Sequence, residues 1–221
     1  MTELFIIGAS GHARVSLEIF EAQGLKVAGF FDDNQDLVGE KLQGYPVMGE
    51  IPHFLLKLEK TNLDFFIAVG NNYDRKKIAT RIKEYNNKIP LNAIHPSVII
   101  SPRSKMGHGN FIAPGAIINT GTILKNYVII NTGATVDHDN TLHDFVQLSP
   151  GCNLAGNVTV EEGVFIGTGA VIIPGKTIGR NAIIGAGAVV INDIPPNCTA
   201  VGVPARVIKQ NHPERFQGRR S

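Results

Sequence analysis

The 221-residue sequence has no tryptophan, only two cysteines and almost no excess of charge of either sign. Two cysteines cannot form a disulfide framework, and no cysteine–histidine cluster has zinc-finger spacing. A net charge of +2 gives no reason to expect nucleic acid or a membrane surface as a partner. No apolar run approaches the roughly 18 residues of a membrane span, and we expect no signal peptide, because residues 1–16 have no basic segment followed by a long apolar run. The composition predicts a globular protein, which we expect to be cytoplasmic.

Glycine, in contrast, is abundant, and many of the 24 glycines belong to a six-residue repeat in the second half of the chain. An aliphatic anchor recurs at every sixth position without one insertion. The anchors are Ile94, Ile100, Met106, Ile112, Ile118, Leu124, Ile130, Val136, Leu142, Leu148, Leu154, Val160, Ile166, Ile172, Ile178, Ile184 and Val190. Small or β-branched residues mostly follow four positions after an anchor. Glycine often stands three positions after it, where a tight turn can use a positive φ.

A period of six indicates a short strand followed by a turn, because helices repeat about every 3.6 residues and hairpins about every 8–12. Three hexads close one triangular coil, so residues 18 apart stack along the same edge of a prism. Each coil then buries its anchors against those of the next coil. We therefore predict an all-β parallel β-helix over residues 91–195, followed by a C-terminal segment, 196–221, to which we assign no role.

Residues 1–90 have a different pattern, in which strands alternate with helices. Strands are predicted at 4–7, 27–31 and 64–69, with helices through 15–20 and over 75–85. A strand, a glycine-rich turn and a helix, with acids about 20 residues later, is typical of nucleotide binding. The strand ends carry the candidate ligand-binding residues Ser10, Gly11, His12, Asp32, Asp33, Gly70 and Asn71. The turn is GxxGxA and not GxGxxG, so both a Rossmann-like half domain for a nucleotide-linked ligand and a plain α/β packing turn fit.

One turn of the repeat carries charge where other turns carry glycine or asparagine, in the segment VDHDN at 136–140. His138 lies between Asp137 and Asp139, which can orient its ring and raise its basicity. Gly156 follows three hexads later, on the same edge of the next coil, where its N–H can face an oxyanion. The pattern makes His138 a candidate general base, although most histidines on turns are solvated surface residues.

Taken together, these motifs resemble one family from Leu4 to about Lys209. The segments GASGH, the Asp pair, FFIAVGNN followed by RKKI, VDHD and GVPAR are similar to the nucleotide-sugar N-acetyltransferases of the hexapeptide-repeat superfamily. The resemblance is strongest to bacillosamine-pathway enzymes, which acetylate a UDP-linked 4-amino-4,6-dideoxy sugar, and extends to the sialic-acid O-acetyltransferases. Their β-helix is left-handed, and the resemblance implies the same hand here.

The resemblance implies an acetyl-CoA-dependent N-acetyltransferase that transfers the acetyl group directly, without a metal. It also implies a homotrimer whose active sites are shared between neighbouring prisms. The residues that match the family's catalytic and binding positions are His138, Asp139, Gly156 and Asn131 for catalysis, and Ser10, Gly11, His12, Asp32 and Asp33 for the nucleotide. We expect acetyl-CoA to contact Gln147, Thr168 and Gly169, with Gln147 standing where a histidine is frequent in the family.

Three other interpretations fit part of the sequence. Hexapeptide prisms also include zinc carbonic anhydrases, and His138 and His143 have a suitable spacing for a zinc pair, but the third ligand would fall near Pro102. A nucleotide-sensing scaffold without catalysis would fail to bind CoA. An O-acetyltransferase acting on sialic acid or a related sugar hydroxyl is the alternative function.

Overall fold

The computed structural model describes residues 2–211, which form two compact units divided between Pro96 and Ser97. The sequence places this boundary after residue 90. Residues 212–221 of the predicted C-terminal segment lie outside the described residues. Within residues 2–211, none of the helices is both long and apolar enough to cross a bilayer.

The first unit is an α/β fold around a small parallel sheet. Its elements are β1 (Glu3–Ile7), α1 (Gly11–Ala22), β2 (Val27–Phe31), β3 (Lys41–Leu42), β4 (Tyr45–Pro46), α2 (Ile51–Lys60), β5 (Leu63–Ile67), α3 (Asn72–Tyr85) and β6 (Ala93–Ile94), with a 3₁₀ turn at Gln35–Leu37. The three longer strands pair in parallel in the order β2–β1–β5. The predicted α/β class is confirmed, whereas α2 and the β3–β4 hairpin are not among the predicted elements.

The sheet forms because its strands are apolar on both faces. Every residue of β1 after Glu3 is 3% exposed or less, as expected of a parallel strand that is covered on both sides. Helix α1 packs Phe20 against Phe66 of β5, edge to face, with the ring centroids 5.5 Å apart. Burial of one such side chain stabilises the fold by about 1.5–3 kcal/mol. The core therefore holds the carboxyl ends of the strands in fixed positions.

The ends of β1 and β5 approach so closely that only glycine fits between them. Gly8 has a φ of +104°, and a Cβ there would lie 2.7 Å from the carbonyl oxygen of Ala68. The Gly8 N–H donates to the Phe31 carbonyl, and the Ala68 N–H donates to the Ile7 carbonyl, each at 2.7 Å. These bonds hold the three strand ends together at the edge where the predicted ligand-binding residues lie.

The second unit is a parallel β-helix of two-residue strands. In chain order, β7 to β22 are Ile99–Ile100, Lys105–Met106, Phe111–Ile112, Ile117–Ile118, Ile123–Leu124, Ile129–Ile130, Thr135–Val136, Thr141–Leu142, Gln147–Leu148, Asn153–Leu154, Thr159–Val160, Phe165–Ile166, Val171–Ile172, Thr177–Ile178, Ile183–Ile184 and Val189–Val190. They are followed by β23 (Cys198–Val201) and β24 (Arg206–Gln210), which pair antiparallel. Strands three apart pair in parallel, so that Ile118 lies beside Val136, its counterpart three hexads later. The predicted three-sided coil is confirmed.

The faces of this prism are three parallel sheets with a common aliphatic core. The first contains β7, β10, β13, β16, β19 and β22, and the second contains β8, β11, β14, β17 and β20. The third runs through β9, β12, β15, β18 and β21 to β23 and β24. Every anchor from Ile112 to Val190 is 1% exposed or less. This stacked core fixes the height and direction of each turn between strands.

After each anchor from Met106 to Ile184, the third residue lies in the left-handed region of φ. It is most often glycine, as in Gly121 with a φ of +72°. The residues with a side chain at this position include Tyr127, Asp139, Phe145, Asn157 and Asn181, with φ between 55° and 61°. Aspartate and asparagine tolerate this conformation better than most residues. Asp139 can therefore occupy the turn position that directly follows His138.

Candidate active site

The turn between β13 and β14 presents a histidine bonded to a carboxylate. His138 Nδ1 lies 2.9 Å from Oδ2 of Asp139, and the two side chains are 48% and 57% exposed. Because Nδ1 donates to this acceptor, Nε2 is the basic nitrogen of the ring. The hydrogen bond to Asp139 raises the pKa of His138; burial opposes the rise, and the charges of Asp137 and Asp139 add to it. The turn therefore holds an oriented base that faces outward.

The ring of His138 lies against Gly156 of the next coil. A Cβ at position 156 would be 2.5 Å from both Cε1 and Nε2 of His138, so only glycine leaves room for the ring. The Gly156 carbonyl accepts the N–H of Gly175, and the His138 carbonyl accepts the N–H of Asn157, both at 3.0 Å. Within residues 2–211, the N–H of Gly156 itself has no acceptor. A backbone donor is therefore available beside the base.

A second carboxylate, Asp137, precedes the histidine on the same turn. Its Oδ1 accepts Nδ2 of Asn119 at 2.9 Å and the N–H of His138 at 2.8 Å, and both bonds lower the pKa of Asp137. Its carbonyl accepts Oγ1 of Thr122 at 2.8 Å and Nδ2 of Asn140 at 2.7 Å. Asp137 is thus an ionised side chain on a backbone held from several sides. The contact between Asn119 and Asp137 corresponds in the sequence to an asparagine 18 residues, or three hexads, before an acid.

A cleft of about 330 Å³ follows the prism face that leads to this turn. Oγ1 of Thr135 donates to Oδ1 of Asn153 at 2.8 Å on its floor. The cleft is lined by Ile117, Asn119, Thr135, Asp137, Asn153, Leu154, Ala155, Val171 and Ile172. None of these nine residues is among the predicted site residues. Several lining residues stand one position before an anchor and recur every 18 residues, as Ile117, Thr135 and Asn153 do. This spacing is the sequence pattern that identifies the face of the prism.

The other predicted residues of the second unit lie elsewhere on the prism. Asn131 is on the preceding turn, where its Nδ2 donates to the Leu148 carbonyl at 3.0 Å. Thr168 and Gly169 are exposed two coils further along the edge of Asn131. Gln147 begins β15, and within residues 2–211 its buried Oε1 has no hydrogen-bond donor. In a single chain these four residues do not share the edge of His138.

His143 and Cys152 lie apart from the turn that carries His138. His143 is on the next turn and therefore on a different edge of the prism. Within residues 2–211, no group of three or more His, Cys, Asp and Glu side chains is arranged to hold a metal ion. Cys152 is buried, and burial raises the pKa of its thiol to about 11. A protonated, buried thiol is a poor nucleophile, so Cys152 is part of the core.

In the first unit, the N-terminus of α1 is open at the strand ends. Ser10 precedes this helix, and among the described residues its side chain caps no N–H of the first turn. A Cβ on Gly11 would meet no atom within 4 Å. Asn71, in contrast, caps α3 by accepting the N–H groups of Tyr73 and Asp74 at 2.9 and 3.1 Å. The first turn of α1 is therefore the helix end that can offer N–H groups to an anion such as phosphate.

Asp32 and Asp33 at the end of β2 both bond to backbone. Oδ2 of Asp32 accepts the N–H of Ala9 at 2.7 Å, which fixes the turn that follows β1. Oδ1 of Asp33 accepts the N–H of Ile51 at 2.9 Å, at the start of α2, and its Oδ2 lies 3.9 Å from Nη1 of Arg81. A carboxylate has about four acceptor positions. Both acids can therefore shape the loops and still bind a ligand.

A buried arginine lies beneath the end of β5. Arg75 is 1% exposed, and its guanidinium donates to the carbonyls of Val69 and Gly70 and to Oδ1 of Asn72, at 2.8–3.1 Å. Burial lowers the pKa of Arg75 to about 9. Burial, together with the charge of Arg75, lowers the pKa of His12 to about 3, so His12 is neutral at physiological pH. No local sequence pattern distinguishes Arg75 from a surface arginine.

Comparison with known proteins supplies the family. Residues 3–82 match the PglD N-terminal domain, and residues 157–192 match the bacterial transferase hexapeptide repeats. The structure is similar to a mutant of perosamine N-acetyltransferase from Caulobacter crescentus in complex with CoA and GDP-perosamine. The TM-score is 0.90 and the identity 38%, over 95% of this chain and 98% of that chain. The chain belongs to the nucleotide-sugar N-acetyltransferases of the hexapeptide-repeat superfamily.

Two further relatives agree with this family. The acetyltransferase domain of PglB from Neisseria gonorrhoeae, in complex with acetyl coenzyme A, has a TM-score of 0.83 and 37% identity over 93% of this chain and 98% of that chain. The UDP-N-acetylbacillosamine N-acetyltransferase of Bacillus subtilis (strain 168) is 39% identical over 113 residues, 51% of each protein. The chain spans about half or less of the length of the curated relatives that it matches. The family and its left-handed β-helix are as predicted.

Proposed function

We propose that this protein transfers an acetyl group from acetyl-CoA to the 4-amino group of a nucleotide-linked 4-amino-4,6-dideoxy sugar. The observation that carries the proposal is the contact of the His138 ring with Gly156, while Asp139 holds the opposite ring nitrogen. This arrangement combines a base, a carboxylate that tunes it and a free backbone donor. The related structures contain CoA or acetyl-CoA, and one also contains GDP-perosamine, which supports substrates of the same kinds.

The transfer requires a base because an aliphatic amine is mostly protonated at neutral pH. The ammonium form first releases one proton to solvent, and Nε2 of His138 then takes a second proton from the neutral sugar nitrogen as this nitrogen adds to the carbonyl carbon of the thioester. The N–H of Gly156 donates to the carbonyl oxygen, which becomes negatively charged in the tetrahedral intermediate. The C–S bond then breaks, the thiolate of CoA takes the proton from His138, and the products are the acetamido sugar and CoA.

We assign the nucleotide to the first unit. The backbone of Ser10, Gly11 and His12 would donate to the phosphates at the N-terminus of α1, and Asp32 and Asp33 would accept from ribose hydroxyls or a base N–H. The loop at Gly70 and Asn71 is held at the same edge of the sheet. We propose UDP as the carrier; the relatives named above include enzymes named for a UDP sugar and for GDP-perosamine.

Acetyl-CoA is proposed to contact the edge and face that carry Gln147, Thr168 and Gly169. The buried Oε1 of Gln147 is an acceptor that suits an amide N–H of the pantetheine arm. In the homotrimer that we predict, this edge of one copy and His138 of its neighbour would form one site, with Asn131 contributed in the same way. Analytical ultracentrifugation would measure the oligomeric state.

The reaction is tested by mass spectrometry of mixtures of acetyl-CoA with UDP-, dTDP- and GDP-linked 4-amino-4,6-dideoxy sugars. We expect one acetyl group to be added at the amine, with the highest kcat/KM for the UDP sugar. Failure to bind CoA would favour a nucleotide-sensing scaffold. Acetylation of a hydroxyl of sialic acid, without acetylation of any amino sugar, would replace the proposal by O-acetyl transfer.

Asp139→Asn is expected to move the acid limb of the rate profile to lower pH. The base must be neutral to accept a proton, so the rate rises as pH passes through the pKa of His138, which Asp139 raises above its ordinary 6.5. Without the carboxylate this pKa falls, and kcat falls by less than in His138→Ala because Asp139 transfers no proton. Asparagine is chosen because it tolerates the φ of 57° at this position, where alanine adds strain. Measurement of kcat from pH 5 to 9 checks this, and an unchanged midpoint would contradict it.

Asp33→Asn is expected to raise the KM for the nucleotide sugar about tenfold and to leave the KM for acetyl-CoA unchanged, because a charge-assisted hydrogen bond to the ligand is lost. The asparagine oxygen can still accept the N–H of Ile51, which preserves the start of α2, whereas Asp33→Ala would also remove this bond. Asp36→Asn removes the same charge from the next turn and serves as the control. An equal rise in both KM values would refute the assignment of Asp33 to the nucleotide.

A further inference from the structure

One oxygen of the Asp137 carboxylate accepts hydrogen bonds from the protein and the other does not. Oδ1 accepts both Asn119 Nδ2 and the N–H of His138. Within residues 2–211, Oδ2 has no hydrogen-bond donor and no cationic partner. The two bonds to Oδ1 prevent the side chain from turning away, so Oδ2 keeps one direction. An ionised oxygen that is held in place and left unpaired is suited to a cationic or strongly donating ligand.

The position of this oxygen connects it to the proposed reaction. Asp137 lines the cleft of about 330 Å³ on the prism face, and the next residue in the chain is the proposed base. The negative charge of Asp137 also acts on the His138 ring and raises its pKa. Asp139, by contrast, directs Oδ2 at Nδ1 of His138 and is occupied there. Of the two carboxylates, Asp137 is therefore the one that lines the cleft, and its charge is not engaged by a direct bond to the His138 ring.

We infer that Oδ2 of Asp137 binds the protonated amino group of the acceptor sugar and thereby selects an amine over a hydroxyl at the acetylated position. This inference rests on the proposed function and specifies its acceptor. An ammonium group bound to Asp137 would release one proton to solvent, and the neutral amine would keep an N–H to Asp137 and offer its other N–H to Nε2 of His138, which takes that proton during transfer. A hydroxyl has one proton and no charge, so it can satisfy one of these acceptors but gains no ionic attraction.

The variant Asp137→Asn isolates this role. Its side-chain oxygen can still accept from Asn119 and from the N–H of His138, so the turn keeps its internal bonds. Only the charge is removed, and an amide replaces the open oxygen. The matched control is Asp144→Asn on a different edge, because Oδ1 of Asp144 also accepts two donors. Both belong to Asn126, three hexads earlier: its N–H and its Nδ2.

The probes are UDP- and GDP-linked 4-amino-4,6-dideoxyhexoses and the matching 6-deoxyhexoses with a 4-hydroxyl group, whose binding is measured by calorimetry in the presence of CoA. In the unchanged protein we expect the amine to bind at least tenfold more tightly than the hydroxyl analogue. Asp137→Asn should weaken binding of the amino sugar by about ten- to a hundredfold and change the affinity for the hydroxyl analogue by less than about threefold. Asp144→Asn should change neither affinity.

The outcomes distinguish a failure of the inference about Asp137 from a failure of the proposed acetyl transfer. If the unchanged protein acetylates the amine but Asp137→Asn weakens both ligands equally, Asp137 acts on the shape of the turn and the inference is wrong. The inference is also wrong if the variant weakens neither ligand, or if the unchanged protein binds the hydroxyl analogue as tightly as the amine. If the unchanged protein transfers acetyl to no amino sugar, the proposed function itself fails.

Discussion

His138→Ala is expected to lower kcat by about 10²–10⁴, the usual cost of losing a general base. The expected loss follows from chemistry, because the amine needs a proton acceptor and Nε2 is the basic nitrogen that the Asp139 hydrogen bond orients. The fold should survive, since the side chain is 48% exposed and lies outside the aliphatic core. Acetyl-CoA binding and the oligomeric state should persist. The acid limb of the rate profile should disappear together with the imidazole.

The matched control for this experiment is His143→Ala, which removes an imidazole from the next turn on a different edge. We expect it to change kcat by less than about threefold, because the residue takes no part in the proposed proton transfer. Retention of more than about a tenth of the activity in His138→Ala would place the base elsewhere. His143 would then be the next candidate, and its own variant would show the larger loss.

Gly156→Ala is expected to lower kcat by about 10²–10⁴, the usual cost of losing a general base, because the added methyl group displaces the His138 ring while the backbone N–H remains. A methyl group at this position would lie 2.5 Å from Cε1 and Nε2 of His138, so the ring must leave the position in which it faces the substrate nitrogen. The backbone φ of Gly156 is not in the left-handed region, so alanine adds no backbone strain there. The loss should therefore appear in kcat and not in the thermal midpoint.

A double-variant cycle separates this clash from a general disturbance of the coil. The three atoms nearest to the added methyl group all belong to the ring of His138. In the His138→Ala background the methyl group has room, and Gly156→Ala should cost less than about threefold in kcat. If the fold-losses in kcat of the two single variants multiplied in the double variant, the methyl group would act independently of the His138 ring. The contact between Gly156 and the ring would then not explain the loss.

The coils could be predicted almost residue by residue because each one repeats the contacts of its neighbours. Once the anchor at Val136 is assigned, the period places the turn at 137–140 and puts Gly156 above His138. Hydrophobic burial turns each anchor inward, and the sterics of the turn give the third residue after it a positive φ. Both effects act within one coil and its neighbours. The pairing of base and glycine therefore follows from counting in steps of three hexads, the same step that pairs Val136 with Leu154.

The first unit was less predictable because its decisive contacts join distant parts of the chain. Helix α2 begins where Asp33 accepts the N–H of Ile51, a long-range bond that follows no repeat. Arg75 is buried with its guanidinium bonded to carbonyls of the loop after β5 and to Asn72, and these contacts are not visible in its sequence position. The direction of the Asp137 oxygens was hidden for a similar reason, since it depends on which donor Asn119 presents.

Because the hexads are uninterrupted, the number of coils before a residue sets its height along the prism, and its hexad within the coil sets the edge or face on which it lies. An insertion of three hexads before His138 or after Gly156 would lengthen the prism and leave the two residues in contact. The same insertion between them would keep both on one edge but add about 4.8 Å, one strand spacing, to their separation. An insertion of one hexad would turn everything beyond it onto the next edge. Whole coils added outside the step from His138 to Gly156 therefore lengthen the prism without separating the base from the backbone amide.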